Sequence, residues 1–457
     1  MIHQARFTVW LVLAALVLLL LGSCAPATPT QPAASYGGEG AAPAQASGQL
    51  TLRFYTSSGD HATKANELMI NKFRETHPDF TVEVEYGASD YADKVFTMAA
   101  AGNLPDILYT ADIYTAPFVD AGVLLDMQPF ADADSEVNID DVYESILGLG
   151  RVEGNPGLYM IPVSLDNVQV YYNKTIWEEA GAPLPTPDWS WDDLIADCKI
   201  IQEAKPDIYC IGIGGSNGGG GFNWWAYVVP WIRGYGGDVL SADGTRSTLS
   251  TPEAMAGLQA YANLWVVHNV AIPLGNDLGG NCFINQKCAT WLSIPIFAGI
   301  FRDSIEPGAF EWDVQVIPSH PKGRFTGMGT FGYAVSANTQ HPQEAWDFVK
   351  TLITREGQEE LGRTYRAMPL LKSMADSSLF DELEPPPANY RAFIDGQAYG
   401  ILPRTYPVEC GSLYTGQVNA AMMAALETII RGEGTAETVF PGVDAEIQAC
   451  LDRALAK

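Results

Sequence analysis

The chain has 457 residues, 47% of them hydrophobic and 18% charged, with 26 Lys+Arg against 54 Asp+Glu. At roughly 100–200 residues per domain, this is a two- or three-domain protein. A formal net charge of −28 argues against nucleic acid or an anionic membrane face as partner, since both need a basic surface; 11 Trp, 20 Tyr and 18 Phe exclude a disordered acidic chain. Arg6 precedes an apolar run, Val9 to Leu21, which reads as the hydrophobic part of an export signal over 1–23. That run is shorter than the ~20 residues a spanning helix needs. Ala25–Gly48 holds four Pro, four Gly and the single charge Glu39, so it cannot bury a core and reads as a flexible tether within 24–49.

Order begins at Leu50. Leu50, Leu52 and Phe54 alternate with polar neighbours, a strand pattern, and Ala65, Leu68, Met69 and Phe73 fall on one face of a helix over 62–76, stopped at His77-Pro78. Val82, Val84 and Tyr86 predict a second strand, 91–101 a second helix, and Leu104–Tyr109 the start of a third strand. Strand–helix alternation with short links implies a parallel sheet covered by helices, with ligands beyond the carboxyl ends of its strands. That makes Thr56–His61 and Thr110–Tyr114 candidate site loops. Val168–Tyr172 is a further apolar strand, and a helix after it ends at Gly181. Ile211–Gly237 mixes ten Gly with Trp224, Trp225, Trp231 and Tyr235 and reads as broad loops carrying aromatic plates. Helices are predicted over 252–268, 342–361 and 414–431.

Leu21-Gly22-Ser23-Cys24 resembles the lipobox of bacterial lipoproteins, in which cleavage precedes the Cys and lipid is attached to it. Two or more acyl chains at about 0.8 kcal/mol per buried CH₂ anchor a protein without a spanning helix. Of seven Cys, setting Cys24 aside leaves an even set of six, which suggests disulfides in an oxidising compartment. Sequence proximity favours Cys198 with Cys210, Cys282 with Cys288 and Cys410 with Cys450, among roughly 15 possible connectivities, and buried free thiols are the alternative. No C-x-x-C or H-E-x-x-H occurs, so no metal site is expected.

Several collinear stretches resemble the extracellular solute-binding proteins of ABC importers, the family of maltose-binding protein. They are Phe73 to Val84, Ala99 to Ile107, Ala121 to Asp126, Ile161-Pro162-Val163 leading to Tyr171-Tyr172-Asn173-Lys174, Gly327 to Val335, and His341 to Phe348. The resemblance spans nearly all of 50–455 and implies an α/β fold of two lobes joined by crossing hinge segments. Lobe 1 would comprise 50–165 plus 330–385, and lobe 2 would comprise 166–329 plus 386–457. It further implies a monomer without cofactor, tied to the outer face of the cytoplasmic membrane, that captures a mono- or oligosaccharide by hinge closure and delivers it to permease subunits, with no chemistry on the ligand.

Carried over residue by residue, the resemblance implies carboxylates for sugar hydroxyls at Asp60, Asp112 and Asp166. Tyr109, Tyr114 and Asn167 would lie beside them, with aromatic partners at Trp291 and Tyr414. Trp224, Trp225 and Trp231 are further candidate plates. The chemistry is coherent, because a sugar offers C–H faces to flat rings and hydroxyls to fixed donors and acceptors. A polyol or glycerol-phosphate ligand is the rival within the class, with Arg324 and Arg404 as the cations a phosphate would need. A secreted glycoside hydrolase is the rival from another class, since it too uses paired carboxylates and Trp plates.

Three local motifs carry less. The Gly212–Gly221 run has Asn217 where a phosphate-binding G-x-G-x-x-G needs Gly. Gly214-Gly215-Ser216-Asn217-Gly218 matches an esterase elbow formally, but four Gly follow where a helix must start. Asp132–Asp141 resembles a calcium loop with Val137 in place of the turn Gly.

Overall fold

The computed structural model describes residues 50–57, 60–87, 91–152, 154–164, 166–213, 222, 224–275, 282–365, 368–374, 385–402, 404–413 and 416–456. The export signal, Cys24, the tether, the esterase-like Gly run and Tyr414 lie outside them. Strands β1 (Leu50–Ser57), β2 (Phe80–Gly87), β3 (Ile107–Ala111), β4 (Ile161–Pro162), β5 (Asp166–Asn167), β6 (Gln169–Asn173), β7 (Tyr209–Gly212), β8 (Cys288–Ser293), β9 (Trp312–Gln315), β10 (Thr326–Gly329), β11 (Phe331–Val335) and β12 (Gly400–Ile401) form three sheets among these residues.

The first sheet has the order β2-β1-β3-β11-β4, with β1 parallel to β2 and β3, and β11 antiparallel to β3 and β4. Successive side chains of a strand point to opposite faces. Leu52 and Phe54 therefore meet Ala65, Met69 and Phe73 of the helix Asp60–Thr76, whereas Tyr55 joins Tyr91, Val95 and Phe118 on the opposite face. Both faces are covered by helices, as alternation of strand and helix predicts. β2 is the edge strand, and its Tyr86 is exposed rather than inward.

The second sheet has the order β7-β8-β6-β9, and every residue of β6 and β8 is buried. Asn173 caps the next helix by accepting the Ile176 N–H at 3.0 Å, and Gly181 at φ 73° ends it in the left-handed conformation that glycine adopts at least cost. Disulfides join Cys198 to Cys210, Cys282 to Cys288 and Cys410 to Cys450, the pairing that sequence proximity favours.

Three helical readings are corrected. Trp225–Gly234 is a helix, not a loop. Nine of its ten residues are buried, so no polar face reveals a helical period, and Pro230 sits inside it. The predicted helix over 342–361 ends at Val349, passes through a 3₁₀ turn, Lys350–Ile353, and restarts at Arg355–Glu360, where Thr354 caps the new helix by accepting the Gly357 N–H at 3.2 Å. A helix not foreseen, Ala436–Leu455, follows the expected one, which runs Gly416–Ile430. No described helix is long and apolar enough to cross a membrane.

The third sheet, β12-β10-β5, is where the chain passes between the other two. β5 lies between β4 of the first sheet and β6 of the second; β10 lies between β9 and β11 and runs antiparallel to β5. Side chains add to this ladder. Thr326 Oγ1 donates to Val168 O at 2.6 Å and Thr330 Oγ1 to Ser164 O at 2.7 Å.

Candidate functional site

A cavity of about 210 Å³ opens where the first sheet, the crossing strands and the helix Trp225–Gly234 meet. The first sheet contributes Tyr109 from the middle of β3, and Asp112 and Tyr114 come from the first turn of the following helix, Asp112–Asp120. That junction is a strand running directly into a helix, so the expected loop Thr110–Tyr114 is absent. Asp166 of β5 and Gly327, Gly329 and Thr330 of the β10 segment line the middle. Trp224, Trp225 and Ala226 form the opposite wall.

Two carboxylates dominate the electrostatics. Asp166 is buried, and Ser164 Oγ donates to its Oδ1 at 2.8 Å. Burial pushes its pKa up to about 7; the Ser164 bond works against this and the nearby Asp112 carboxylate adds to it. Asp112 accepts its own helix's Ile113 N–H at 2.8 Å, yet desolvation also pushes it up to about 7. Gly329 leaves room for it: a Cβ there would stand 2.5 Å from Asp112 Oδ2 and displace the carboxylate. Tyr109 is held above the usual tyrosine range mainly by burial, as is Tyr114.

The other sequence candidates sit elsewhere. Asn167 faces away from the cavity lining, accepting from Gln169 Nε2 at 2.7 Å and donating to Phe393 O at 2.8 Å, which ties the helix Arg391–Gly396 to the crossing strand. Trp231 packs into the core against Trp191, with ring centroids 4.6 Å apart, and against His320 at 5.0 Å. Trp291 is buried in β8 against Gly212 and the Cys282 sulfur. Asp60 opens the helix after β1, with its side chain outside the described residues. Arg404 is paired with Asp238 at 2.8 Å, and Arg324 donates to Pro187 O at 2.6 Å and lies over the Tyr399 ring. Neither arginine lines the cavity.

Residues 55–359 match the family model of the bacterial extracellular solute-binding proteins. The chain belongs to that family. An ABC substrate-binding protein from Listeria monocytogenes, solved in complex with cycloalternan, superimposes with a TM-score of 0.77 over 88% of this chain and 99% of its own at 22% identity; the fold is therefore the two-lobe one of solute-binding proteins. A putative binding protein of Brucella abortus is 23% identical over 391 residues, 83% of this chain and 88% of its own length. The arabinooligosaccharide-binding protein of Halalkalibacterium halodurans is 25% identical over 351 residues, covering 73% of this chain and 74% of its own.

In this solute-binding protein the lining residues that sequence reasoning did not assign to the site are Ala226, Ile294, Gly327, Gly329, Thr330 and Phe331. The signal for the two glycines was Gly-x-Gly within a strand, which marks close approach of other groups to the backbone. A Cβ on Gly327 would overlap Ala226, just as one on Gly329 would crowd Asp112.

Proposed function

We propose that this solute-binding protein is the substrate-binding subunit of an ABC importer and holds a mono- or oligosaccharide in the cavity beside the crossing strands. The observation that carries this reading is the lining itself: the aromatic residues Tyr109, Tyr114, Trp224 and Trp225 border a space that Asp112 and Asp166 also line. Flat rings suit the C–H faces of a pyranose, and carboxylates accept from paired hydroxyls. Hydrogen bonds near 1 kcal/mol each, or up to about 3 with charged partners, add up to micromolar affinity at about −8 kcal/mol. The arabinooligosaccharide and cycloalternan bound by similar proteins support a carbohydrate over a glycerol phosphate, and the absence of Lys and Arg among the described lining residues agrees.

Two lobes, 50–165 plus 330–385 and 166–329 plus 386–457, would close about β5 and β10. Contacts from both lobes favour the closed state by differential affinity. Lipidated Cys24 and the tether would hold a monomer at the outer face of the cytoplasmic membrane, and the loaded form would dock on permease subunits. The ligand leaves chemically unchanged.

The test is a thermal-shift screen against a carbohydrate panel, followed by X-ray scattering and product analysis on each hit. A raised midpoint with compaction and intact sugar is expected. Hydrolysed sugar would replace this reading with a glycosidase, and stabilisation only by non-carbohydrates would overturn the ligand class.

A further inference from the structure

The cavity is chemically lopsided in a way that narrows its ligand. Asp112 and Asp166 both line it, and no Lys, Arg or His does so among the described residues. Neither carboxylate belongs to an ion pair among those residues; the hydrogen bonds they accept come from backbone N–H groups and one serine hydroxyl. The hydroxyl of Thr330, a possible donor to a ligand, is directed at Ser164 O instead, at 2.7 Å. The described lining therefore presents two carboxylates with no cationic partner, beside the aromatic residues Tyr109, Tyr114, Trp224 and Trp225, whose O–H and N–H groups are neutral donors. Two desolvated carboxylates, with the Asp112 charge adding to the cost of ionising Asp166, beside aromatic residues are an arrangement that a cation relieves. The cation neutralises the pair and is attracted by each ring quadrupole. A neutral hydroxyl supplies only a hydrogen bond, and an anion is repelled.

We propose that the preferred ligand is a carbohydrate bearing a protonated amine, with the ammonium seated between Asp112 and Asp166 and the ring stacked on the tryptophan wall. This rests on the carbohydrate reading above and narrows it to amino sugars. The raised pKa values of the two acids fit this assignment, because part of the empty population is protonated near neutrality and must release its proton when the ammonium binds. The other titratable groups that feel these acids among the described residues are Tyr109, Tyr114 and Tyr171. All three are raised by burial and neutral over the range concerned, and Asp93 acts only on Tyr114.

Calorimetry with matched triplets tests the inference: glucosamine, N-acetylglucosamine and glucose; galactosamine, N-acetylgalactosamine and galactose; and the β-linked dimers of each. At pH 7 the amine should bind at least ~10-fold more tightly than its hydroxyl and N-acetyl counterparts, with proton release seen as a buffer-dependent enthalpy. The advantage should shrink toward pH 5 as the acids take up protons. Asp112→Asn and Asp166→Asn, which are isosteric and remove the charge, should weaken the amine far more than its neutral counterparts and so abolish the advantage. Equal or tighter binding of a neutral member, or an amine advantage that survives both substitutions, overturns the amine assignment and leaves the carbohydrate reading standing. Binding by no member of any triplet overturns the amine assignment and leaves the carbohydrate reading to the panel screen above.

Discussion

The two walls of the cavity are built from different materials. The first is polar and stands on strand ends. Tyr109 lies in β3, and Asp112 and Tyr114 begin the helix that follows, where a backbone N–H is available to the Asp112 carboxylate at 2.8 Å. The second is aromatic and stands on Trp225–Gly234, a helix with almost no exposed surface. Charge needs nearby donors and can tolerate partial solvation, whereas a stacking plate needs rigidity, which full burial on a helix supplies. The supporting structure differs as well. The first sheet, parallel over β2-β1-β3 and antiparallel at β11 and β4, carries no cystine, whereas all three disulfides lie outside it.

Removing those disulfides is the strongest way to break the contrast. Chain-entropy estimates for closed loops of 40, 12 and 6 residues rank Cys410–Cys450 above Cys198–Cys210 and Cys282–Cys288, at about 4, 3 and 2 kcal/mol. Urea unfolding of the paired Cys→Ser variants should reproduce that order, and limited proteolysis of the reduced protein should cut first within 191–213 and 404–456. First cuts in the β1–β3 region would mean that the polar wall, not the aromatic one, depends on the cystines.

The polar wall has its own liability, which appears as a pH dependence. Asp112 and Asp166 have folded-state pKa values near 7, above the ordinary 3.8. A carboxyl raised on folding contributes stability that is fully present below its unfolded pKa and is lost as pH rises through its folded value. The ligand-free protein should therefore lose stability from these two groups between about pH 4 and 7, opposite to the usual trend for paired carboxylates. Asp166→Asn should raise the melting midpoint by a few degrees at pH 8 and leave it nearly unchanged at pH 4.5. An identical shift at both pH values would show that Asp166 is not desolvated in the free protein.

Legibility in the sequence follows the same division. The alternation of Leu52 and Phe54, and the apolar stripe Ala65, Met69 and Phe73, expose β1 and its helix because half-exposed Thr51 and Arg53 separate the buried strand residues and the helix keeps one wet face. Asp112 and Tyr114 fall in the segment expected beyond the third strand, and with Tyr109 they were assigned to the site through the family resemblance. Trp225–Gly234 was unreadable because its burial is nearly complete, which erases the period, and the glycines before it suggested a loop. Trp231 and Trp291 show the cost of reading tryptophans by type: both are core residues, sorted from Trp224 and Trp225 only by which turn or strand carries them. The cystine pairing was favoured by proximity, whereas Gly327 and Gly329 act through contacts with residues about 100 and 217 positions away, which no local pattern reveals.

Those two glycines allow the finest comparison, since they lie two residues apart on β10 and each touches a different wall. A methyl on Gly327 would overlap the backbone and Cβ of Ala226, atoms fixed in the buried helix that carries the plates. Nothing there can yield without moving the helix, so Gly327→Ala should cost about 1–3 kcal/mol by overpacking and weaken stacking ligands as the plates shift. A methyl on Gly329 meets only Asp112 Oδ2, the tip of a side chain that can rotate, with Trp225 already at ordinary contact distance, 3.7 Å. Gly329→Ala should therefore leave stability within about 0.5 kcal/mol, the range of a substitution without a buried clash. Its effect belongs to binding, because displacing the carboxylate loosens whichever ligand donor it accepts. Urea midpoints and ligand affinities measured on the two variants should diverge, with Gly327→Ala losing both and Gly329→Ala losing affinity alone. If both variants lost stability equally, Asp112 would be as rigidly held as the helix, and the polar wall would be as fixed as the aromatic one.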